Sequence, residues 1–149
     1  MLQWLLMEVM SKRLVDTERA AKSFATALSR ETHATVVGLS GELGSGKTAF
    51  AKGVAKALGI LQTVTSPTFV IEKIYKLEGQ QFSHLIHIDA YRLSDSNELV
   101  TLGFNEVLRD PNNLVLIEWA ERVSDVLPTG ARIIHFTFVD DGTRTIKFP

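Results

Sequence analysis

The feature that most constrains how this chain can fold is the segment at residues 41–48, whose sequence is GELGSGKT. It fits the phosphate-loop pattern G-x-x-x-x-G-K-[ST]. An apolar run at 34–39 precedes the segment, and a run with helical spacing follows it at 47–58 before Gly59. The segment therefore lies between a predicted strand and a predicted helix, the context in which this pattern binds phosphate. A glycine-rich turn with an unrelated lysine is the alternative, and the flanking elements disfavour it.

The residue types of this segment suit the binding of a nucleotide. Glycine lets the backbone turn tightly and approach an anion closely, and N–H groups at a helix N-terminus can surround the α- and β-phosphates. Lys47 can reach the β- and γ-phosphates, and the hydroxyl of Thr48 can bind Mg²⁺. The predicted nucleotide-binding residues of the loop are Gly41, Glu42, Leu43, Gly44, Ser45, Gly46, Lys47 and Thr48.

The composition is typical of one soluble globular domain, which we expect to span residues 1–149. Of the 149 residues, 45% are hydrophobic and 22% are charged, so the chain can bury a core of its own. Its formal net charge of −1 provides no overall positive field for nucleic acid or for an anionic membrane. If RNA is involved, we therefore expect a partner to hold it.

The absence of cysteine from the sequence excludes disulfides, thiolate metal sites and a cysteine nucleophile. The first ten residues, MLQWLLMEVM, are apolar, but they contain Glu8 and lack the basic start and cleavage site of an export signal. They are also too short to span a bilayer. We expect them to form a core strand, and we expect the protein to be cytoplasmic.

Hydrophobic periodicity predicts strands and helices along the whole chain. Beyond the loop and its flanks, the predicted elements are a strand at 2–10, a helix from Asp16 or Thr17 to about Arg30, strands at 69–75 and 82–89, two short helices within 96–109, a strand at 114–117, and strands at 132–139 and 143–148. Short turns join 69–75 to 82–89 and 132–139 to 143–148, so both pairs are predicted hairpins. The continuous apolar run at 114–117 indicates a strand buried on both faces.

Two acids that end apolar strands are candidates for a metal site next to the phosphates. Glu118 ends the run at 114–117, and Asp89 ends the strand at 82–89. An α/β sheet builds its site at this edge, and a phosphate loop needs a carboxylate near its Mg²⁺. The stronger burial predicted for 114–117 favours Glu118 as metal ligand, with Asp89 orienting or deprotonating the attacking water. Which acid is the direct ligand stays open, and either could instead cap a helix or face solvent.

Other polar and aromatic positions have a functional and a structural interpretation. Ser66-Pro67-Thr68 could contact the γ-phosphate, but spacing alone favours a plain proline turn. His87 and Asp89 have the period-two spacing of metal ligands, yet without a third ligand a structural histidine is favoured. Arg92 could stabilise the transferred phosphoryl group or form a surface ion pair. Trp119 could stack on adenine, although core packing is the favoured interpretation.

Four motifs, taken in order, resemble those of the bacterial TsaE (YjeE) family. They are GELGSGKT at 41–48, SPTF at 66–69, HIDAYRL at 87–93 and IEW at 117–119. Members of the family are small ATPases required to make N6-threonylcarbamoyladenosine beside the anticodon of tRNAs that decode codons starting with adenine. The resemblance covers nearly the whole chain. It implies a P-loop α/β fold of three layers, with β-hairpins and a mixed, mainly parallel central sheet.

The same resemblance implies roles for individual residues. ATP would be held by the phosphate loop, with Thr48 and Glu118 as ligands of Mg²⁺. Lys47 and Asp89 would serve catalysis, and the serine and threonine of SPTF would belong to a switch-like loop. The residues implied near the nucleotide outside the phosphate loop are Thr17, Ser66, Thr68, Glu121 and Arg144.

Members of the family bind a heterodimer of TsaD, the threonylcarbamoyl transferase, and TsaB, its pseudo-enzyme relative. The resemblance therefore implies a TsaB–TsaD-type partner, with tRNA contacted only through that complex. Because such switches often need a partner to complete the site, we also expect slow ATP turnover in its absence. Two alternatives stay open: a P-loop small-molecule kinase, and a binding module in which ATP stabilises a partner-binding shape without hydrolysis. The sequence lacks an N-K-x-D guanine-recognition motif, which disfavours a Ras-like GTPase.

Overall fold

The computed structural model describes residues 7–62, 64 and 71–149, which form one sheet with helices on both of its faces. The strands are β1 Glu8–Ser11, β2 Thr35–Gly41, β3 Glu72–Lys76, β4 His84–Asp89, β5 Asn113–Glu118, β6 Arg132–Asp140 and β7 Thr143–Lys147. The helices are α1 Leu14–Ala27, α2 Lys47–Ala57, α3 Asn97–Thr101 and α4 Phe104–Arg109, and a 3-10 helix spans Ala120–Val126.

The centre of the sheet is parallel and its margins are antiparallel. The strand order is β1-β7-β6-β2-β5-β4-β3. The pairs β6–β2, β2–β5 and β5–β4 are parallel, whereas β1–β7, β7–β6 and β4–β3 are antiparallel. This arrangement confirms the predicted mixed sheet and both predicted hairpins. It also brings the carboxyl ends of β2, β4 and β5 to the same edge, where a parallel sheet builds its site.

The core has two halves because the side chains of a strand alternate between the faces of the sheet. Every residue of β5 is buried, as its continuous apolar sequence predicted. Leu114 and Leu116 pack in the half that contains α1 and α2, and Val115 and Ile117 pack in the half that contains α3, α4 and the 3-10 helix. The sheet between these two helical layers confirms the predicted three-layer fold.

Helix α1 begins and ends earlier than the sequence predicted. Asp16 or Thr17 was expected to cap a helix that continues to about Arg30, whereas the helix spans Leu14–Ala27. Asp16 lies inside the first turn, where its Oδ2 accepts the backbone N–H of Arg13 at 3.0 Å. An acid at this position satisfies an unpaired N–H and interacts favourably with the helix dipole. Asp16 thus stabilises the start of α1 although it is not the N-cap residue.

Parts of three sequence predictions lie outside the described residues. The predicted strands at 2–10 and 69–75 are described only from Met7 and from Ile71 onward, and Ser66-Pro67-Thr68 lies wholly outside. Within the described ranges, no helix combines the length and the apolar character that a membrane crossing requires.

Candidate functional site

The phosphate-loop segment joins the end of β2 to the start of α2, as the sequence predicted. Gly46 precedes α2 with φ of +107°, a left-handed conformation that glycine adopts without steric cost. Gly41 lies so close to β6 that a Cβ atom there would be 2.4 Å from the carbonyl oxygen of Phe136. Glycine is therefore required at both ends of the loop: at Gly46 because of the backbone conformation, and at Gly41 because a side chain would not fit.

The ammonium group of Lys47 points into the loop. Only 5% of Lys47 is exposed, and its Nζ donates to the carbonyl oxygens of Gly41 and, at 2.8 Å, of Glu42. Burial lowers the pKa of Lys47, while the nearby carboxylates of Glu121, Glu118, Asp89 and Glu42 act in the opposite direction. The loop therefore holds a desolvated cation that an anion can approach.

Thr48 and Glu118 meet directly beside this lysine. The Thr48 hydroxyl donates to Oε1 of Glu118 at 2.7 Å, and only 2% of Glu118 is exposed. Asp89 is paired with Glu118 in the parallel ladder of β4 and β5. The Oδ1 of Asp89 accepts the backbone N–H of Tyr91 at 2.9 Å. The structure thus brings both predicted strand-end acids to the phosphate loop, with Glu118 in contact with Thr48.

His87 binds one of these acids. Its Nε2 lies 2.6 Å from Oε2 of Glu118, and 1% of His87 is exposed. Among the described residues, no group of three or more histidine, cysteine, aspartate or glutamate side chains is arranged to hold a metal ion. His87 is thus a buried, hydrogen-bonded neighbour of Glu118.

A cleft of about 570 Å³ opens between the phosphate loop, the start of α1 and the β6–β7 turn. Its volume lies in the range of small-molecule sites, about 300–1,000 Å³. The predicted site residues that line it are Thr17, Leu43, Gly44, Gly46, Lys47, Thr48, Asp89, Glu118 and Arg144, and Arg92 and Trp119 line it as well. The structure therefore gathers residues from distant parts of the sequence around one space.

Thr17 and Arg144 both line the cleft, although each has a protein partner. The hydroxyl oxygens of Thr17 and Ser11 lie 2.7 Å apart in a buried hydrogen bond. Arg144 Nε donates to the carbonyl oxygen of Gly44 at 3.0 Å. Thr17 thus joins β1 to α1 at the wall of the cleft, and Arg144 ties the last hairpin to the phosphate loop.

Glu121, which the resemblance implied near the nucleotide, lies at the start of the phosphate loop. Its Oε2 accepts the backbone N–H of Gly41 at 3.2 Å, so it binds the end of β2 where the phosphate loop begins. Glu121 belongs to the 3-10 helix that starts at Ala120. The remaining predicted nucleotide-binding residues, Ser66 and Thr68, lie outside the described residues.

An aromatic cluster lies beside the lysine in the wall of the cleft. The ring centroid of Trp119 lies 4.0 Å from Lys47 Nζ and 4.9 Å from the ring centroid of Tyr91. The Cζ atom of Arg122 lies 5.1 Å from the Tyr91 ring. Sequence reasoning missed Arg122 and Ser11. Neither belongs to a motif, and only the folded position of their elements brings them to this site.

The backbone conformation of Trp119 helps to place its ring beside Lys47. Its φ of +59° makes it the one non-glycine residue of the described chain in the left-handed region. Such a conformation is uncommon for a bulky side chain, and it occurs where the surrounding structure imposes it. The chain turns here from β5 into the 3-10 helix, so Glu118 and Trp119 both face the phosphate loop.

Comparison with known proteins identifies the family. The model of the family described as "Threonylcarbamoyl adenosine biosynthesis protein TsaE" matches residues 11–146. The tRNA threonylcarbamoyladenosine biosynthesis protein TsaE of Haemophilus influenzae is 32% identical over 125 residues, covering 83% of this chain and 77% of that protein. The Bacillus subtilis protein of the same name is 39% identical over 113 residues, and the match covers 76% of this chain and 68% of that protein.

A solved structure agrees with these sequence matches. The crystal structure of Bacillus subtilis YdiB superposes with a TM-score of 0.76 and 30% sequence identity, and the match covers 95% of this chain and 83% of that one. The likeness therefore covers nearly all of the chain. The chain belongs to the TsaE family of threonylcarbamoyl adenosine biosynthesis proteins.

Proposed function

We propose that this protein is a cytoplasmic, Mg²⁺-dependent ATPase that supports the formation of N6-threonylcarbamoyladenosine in tRNA by acting on a TsaB–TsaD-type transferase complex. The observation that carries the proposal is the contact between Thr48 and Glu118 at 2.7 Å beside the buried Lys47. These three side chains come from a phosphate loop and from the end of the adjacent parallel strand. In P-loop proteins this is where a nucleotide and its metal ion bind.

ATP would take the place of the loop's own acceptors at Lys47. In the structure the ammonium donates to neutral carbonyl oxygens of Gly41 and Glu42. Phosphate oxygens carry charge and form stronger hydrogen bonds with an ammonium group. The N-terminus of α2, whose first residue is Lys47, adds backbone N–H groups and a favourable dipole. Phosphate would therefore replace two neutral acceptors of Lys47 with charged, stronger ones.

Thr48 and Glu118 fit the requirements of Mg²⁺. The ion prefers oxygen ligands and is usually bound by one or two protein groups together with phosphates and waters. A hydroxyl and a carboxylate oxygen 2.7 Å apart supply such a pair. When bound there, Mg²⁺ would neutralise charge on the β- and γ-phosphates.

Asp89 is the residue best placed to act on the attacking water. It lines the cleft, 8% of it is exposed, and it stands opposite Glu118 in the ladder. The N–H of Tyr91 holds one carboxylate oxygen. A carboxylate fixed in this way can orient a water molecule or accept its proton. Arg92 lines the same cleft and would supply positive charge near a bound phosphoryl group.

A protein partner would complete the site. The cleft is open at a rim that includes Leu14 and Leu43, which are 63% and 79% exposed. Exposed apolar side chains at this opening would be available for contact with a protein partner. The net charge of −1 offers little attraction to tRNA, so the partner complex would hold the RNA.

The test compares ATP with a non-hydrolysable analogue in a reconstituted tRNA-modification reaction that contains the transferase heterodimer. ATP should support repeated rounds of modification, and the heterodimer should increase the rate of ATP hydrolysis by this protein. The analogue should support no more than one round. Repeated rounds with the analogue would show that binding alone suffices, which would contradict the hydrolytic part of the proposal.

A further inference from the structure

His87 connects two neighbouring strands at the candidate metal site. In the parallel ladder, His87 pairs with Leu116 and Asp89 pairs with Glu118. His87 and Glu118 are thus diagonal neighbours on one face of the sheet, a relationship within reach of long side chains. Because the ladder fixes both backbones, the imidazole and the carboxylate meet without depending on a loop.

In this contact, His87 is the hydrogen-bond donor and Glu118 is the acceptor. Its Nε2 lies 2.6 Å from Oε2 of Glu118, and a carboxylate oxygen accepts hydrogen bonds, so Nε2 is the donor. The Nδ1 atom is buried and has no hydrogen-bond partner within the described part of the chain. Among the described residues, the imidazole therefore has one polar contact, which is with Glu118.

This contact leaves the two oxygens of Glu118 with separate roles. Oε2 is held by His87, while Oε1 faces the hydroxyl of Thr48 at 2.7 Å. A carboxylate restrained at one oxygen cannot rotate its other oxygen away from Thr48 without losing a buried hydrogen bond. Hydrogen bonds of this kind orient metal ligands, and their loss typically weakens metal binding by about 10- to 100-fold.

The geometry points to His87 as the positioning residue that fixes the Glu118 carboxylate for Mg²⁺ bound with the nucleotide. This inference rests on the proposed function, in which Thr48 and Glu118 hold that ion. It assigns His87 neither to the metal nor to the substrate: the histidine acts through Glu118. It also gives a reason for a histidine, rather than an apolar residue, at a position with 1% exposure.

The test measures Mn²⁺ binding to the ADP-bound protein by electron paramagnetic resonance, since Mn²⁺ accepts the same oxygen ligands as Mg²⁺. His87→Leu removes the donor while keeping an apolar side chain of similar size. We expect Mn²⁺ to bind about 10- to 100-fold more weakly, and ADP to bind as tightly as in the wild type when no metal is present. An unchanged Mn²⁺ affinity in the folded variant would overturn the inference.

Two further variants separate positioning from general packing. His87→Gln places an amide N–H near the position of Nε2 and should restore most of the Mn²⁺ affinity. His84→Gln changes the other histidine of β4, whose backbone pairs with Asn113 at the opposite end of the ladder, and should leave Mn²⁺ affinity unchanged. If His87→Leu weakens metal-free ADP binding as much as Mn²⁺ binding, then His87 only supports the fold.

The wild-type protein provides a measurement that does not depend on the variants folding. A metal ion on Glu118 draws electron density from its carboxylate and weakens the hydrogen bond from His87. The Nε2 proton resonance of His87 should therefore shift when Mg²⁺ is added to the ADP-bound protein. An unshifted resonance at saturating Mg²⁺ would overturn the positioning role. A wild-type protein that bound no Mn²⁺ with ADP would instead contradict the proposed function itself.

Discussion

The hydroxyl of Thr48 donates a hydrogen bond to Oε1 of Glu118, although the two residues are 70 positions apart. One belongs to the first turn of α2 and the other ends β5. Their contact exists because β2, which leads into the phosphate loop, pairs in parallel with β5. The pairing of these two strands therefore determines which acid reaches the loop.

Replacing Lys47 with alanine should weaken ATP binding. The substitution removes a charge-assisted contact with phosphate, worth about 1.5–3 kcal/mol, so affinity should fall about 10- to 150-fold in isothermal titration calorimetry. Lys52→Ala is a matched control, because Lys52 lies on the same helix but is exposed to solvent. Equal ATP affinity in wild type and Lys47→Ala would contradict the assignment of the phosphate loop.

Replacing Glu118 with glutamine should affect metal-dependent steps more than nucleotide binding. Glutamine keeps the size of the side chain and one acceptor oxygen, but it lacks the charge that Mg²⁺ requires. Hydrolysis should become slower and should need more Mg²⁺, while ATP binding in EDTA should change little. Parallel titrations of rate and of binding check this expectation. Equal losses in both would indicate that Glu118 has a structural role alone.

Removing the side chain of Arg144 should loosen the phosphate loop. Its Nε bonds to the carbonyl oxygen of Gly44, so Arg144→Ala should lower ATP affinity about 2- to 10-fold, the range expected for one partly exposed hydrogen bond. Arg144→Lys keeps the charge but not the planar donor group and should give an intermediate affinity. Titration calorimetry of both variants tests this order. An affinity for Arg144→Lys as low as that for Arg144→Ala would show that charge contributes nothing here.

Asp16 should make stability depend on pH in the acid range. Hydrogen bonds from the backbone N–H groups of Lys12 and Arg13 and from the Arg13 side chain lower the pKa of Asp16 below its ordinary 3.8. A lowered folded-state pKa contributes stability that is present above 3.8 and is lost as pH falls through the folded-state value. The melting temperature of Asp16→Asn should therefore be lower than that of the wild type at pH 7.

This difference in melting temperature should shrink as the solution is acidified. Thermal melts at a series of pH values check the expectation, and both proteins should converge once Asp16 is protonated in the folded state. A difference that is constant across the acid range would show that the carboxylate charge does not stabilise α1.

The sequence predicted those parts of the site that follow from local patterns. Period-two alternation placed His87 and Asp89 on one face of β4, because successive side chains of any strand point in opposite directions. The continuous apolar run before Glu118 predicted a strand with two buried faces, and β5 is buried throughout. The glycine spacing predicted the loop between β2 and α2, because few other sequences allow that turn.

Other parts of the site depend on tertiary geometry. The contact of Glu121 with Gly41 spans 80 residues and follows a turn at Trp119 with φ of +59°, which no periodicity in the sequence indicates. The hydrogen bond from His87 to Glu118 requires the register of β4 against β5, which a single sequence does not specify. The start of α1 was predicted too late because aspartate is common at the N-cap position. Asp16 instead lies in the first turn of the helix and accepts the backbone N–H of Arg13 from there.

The buried pair of His87 and Glu118 also bears on how the sheet assembles. Both faces of β4 and β5 are covered by apolar side chains, so burial alone would tolerate a shift of one strand along the other. A shifted ladder would leave the carboxylate of Glu118 buried without its imidazole donor, a costly arrangement in an apolar interior. The polar pair thus penalises misaligned pairing, and the residues that build the chemistry also select the strand register on which it depends.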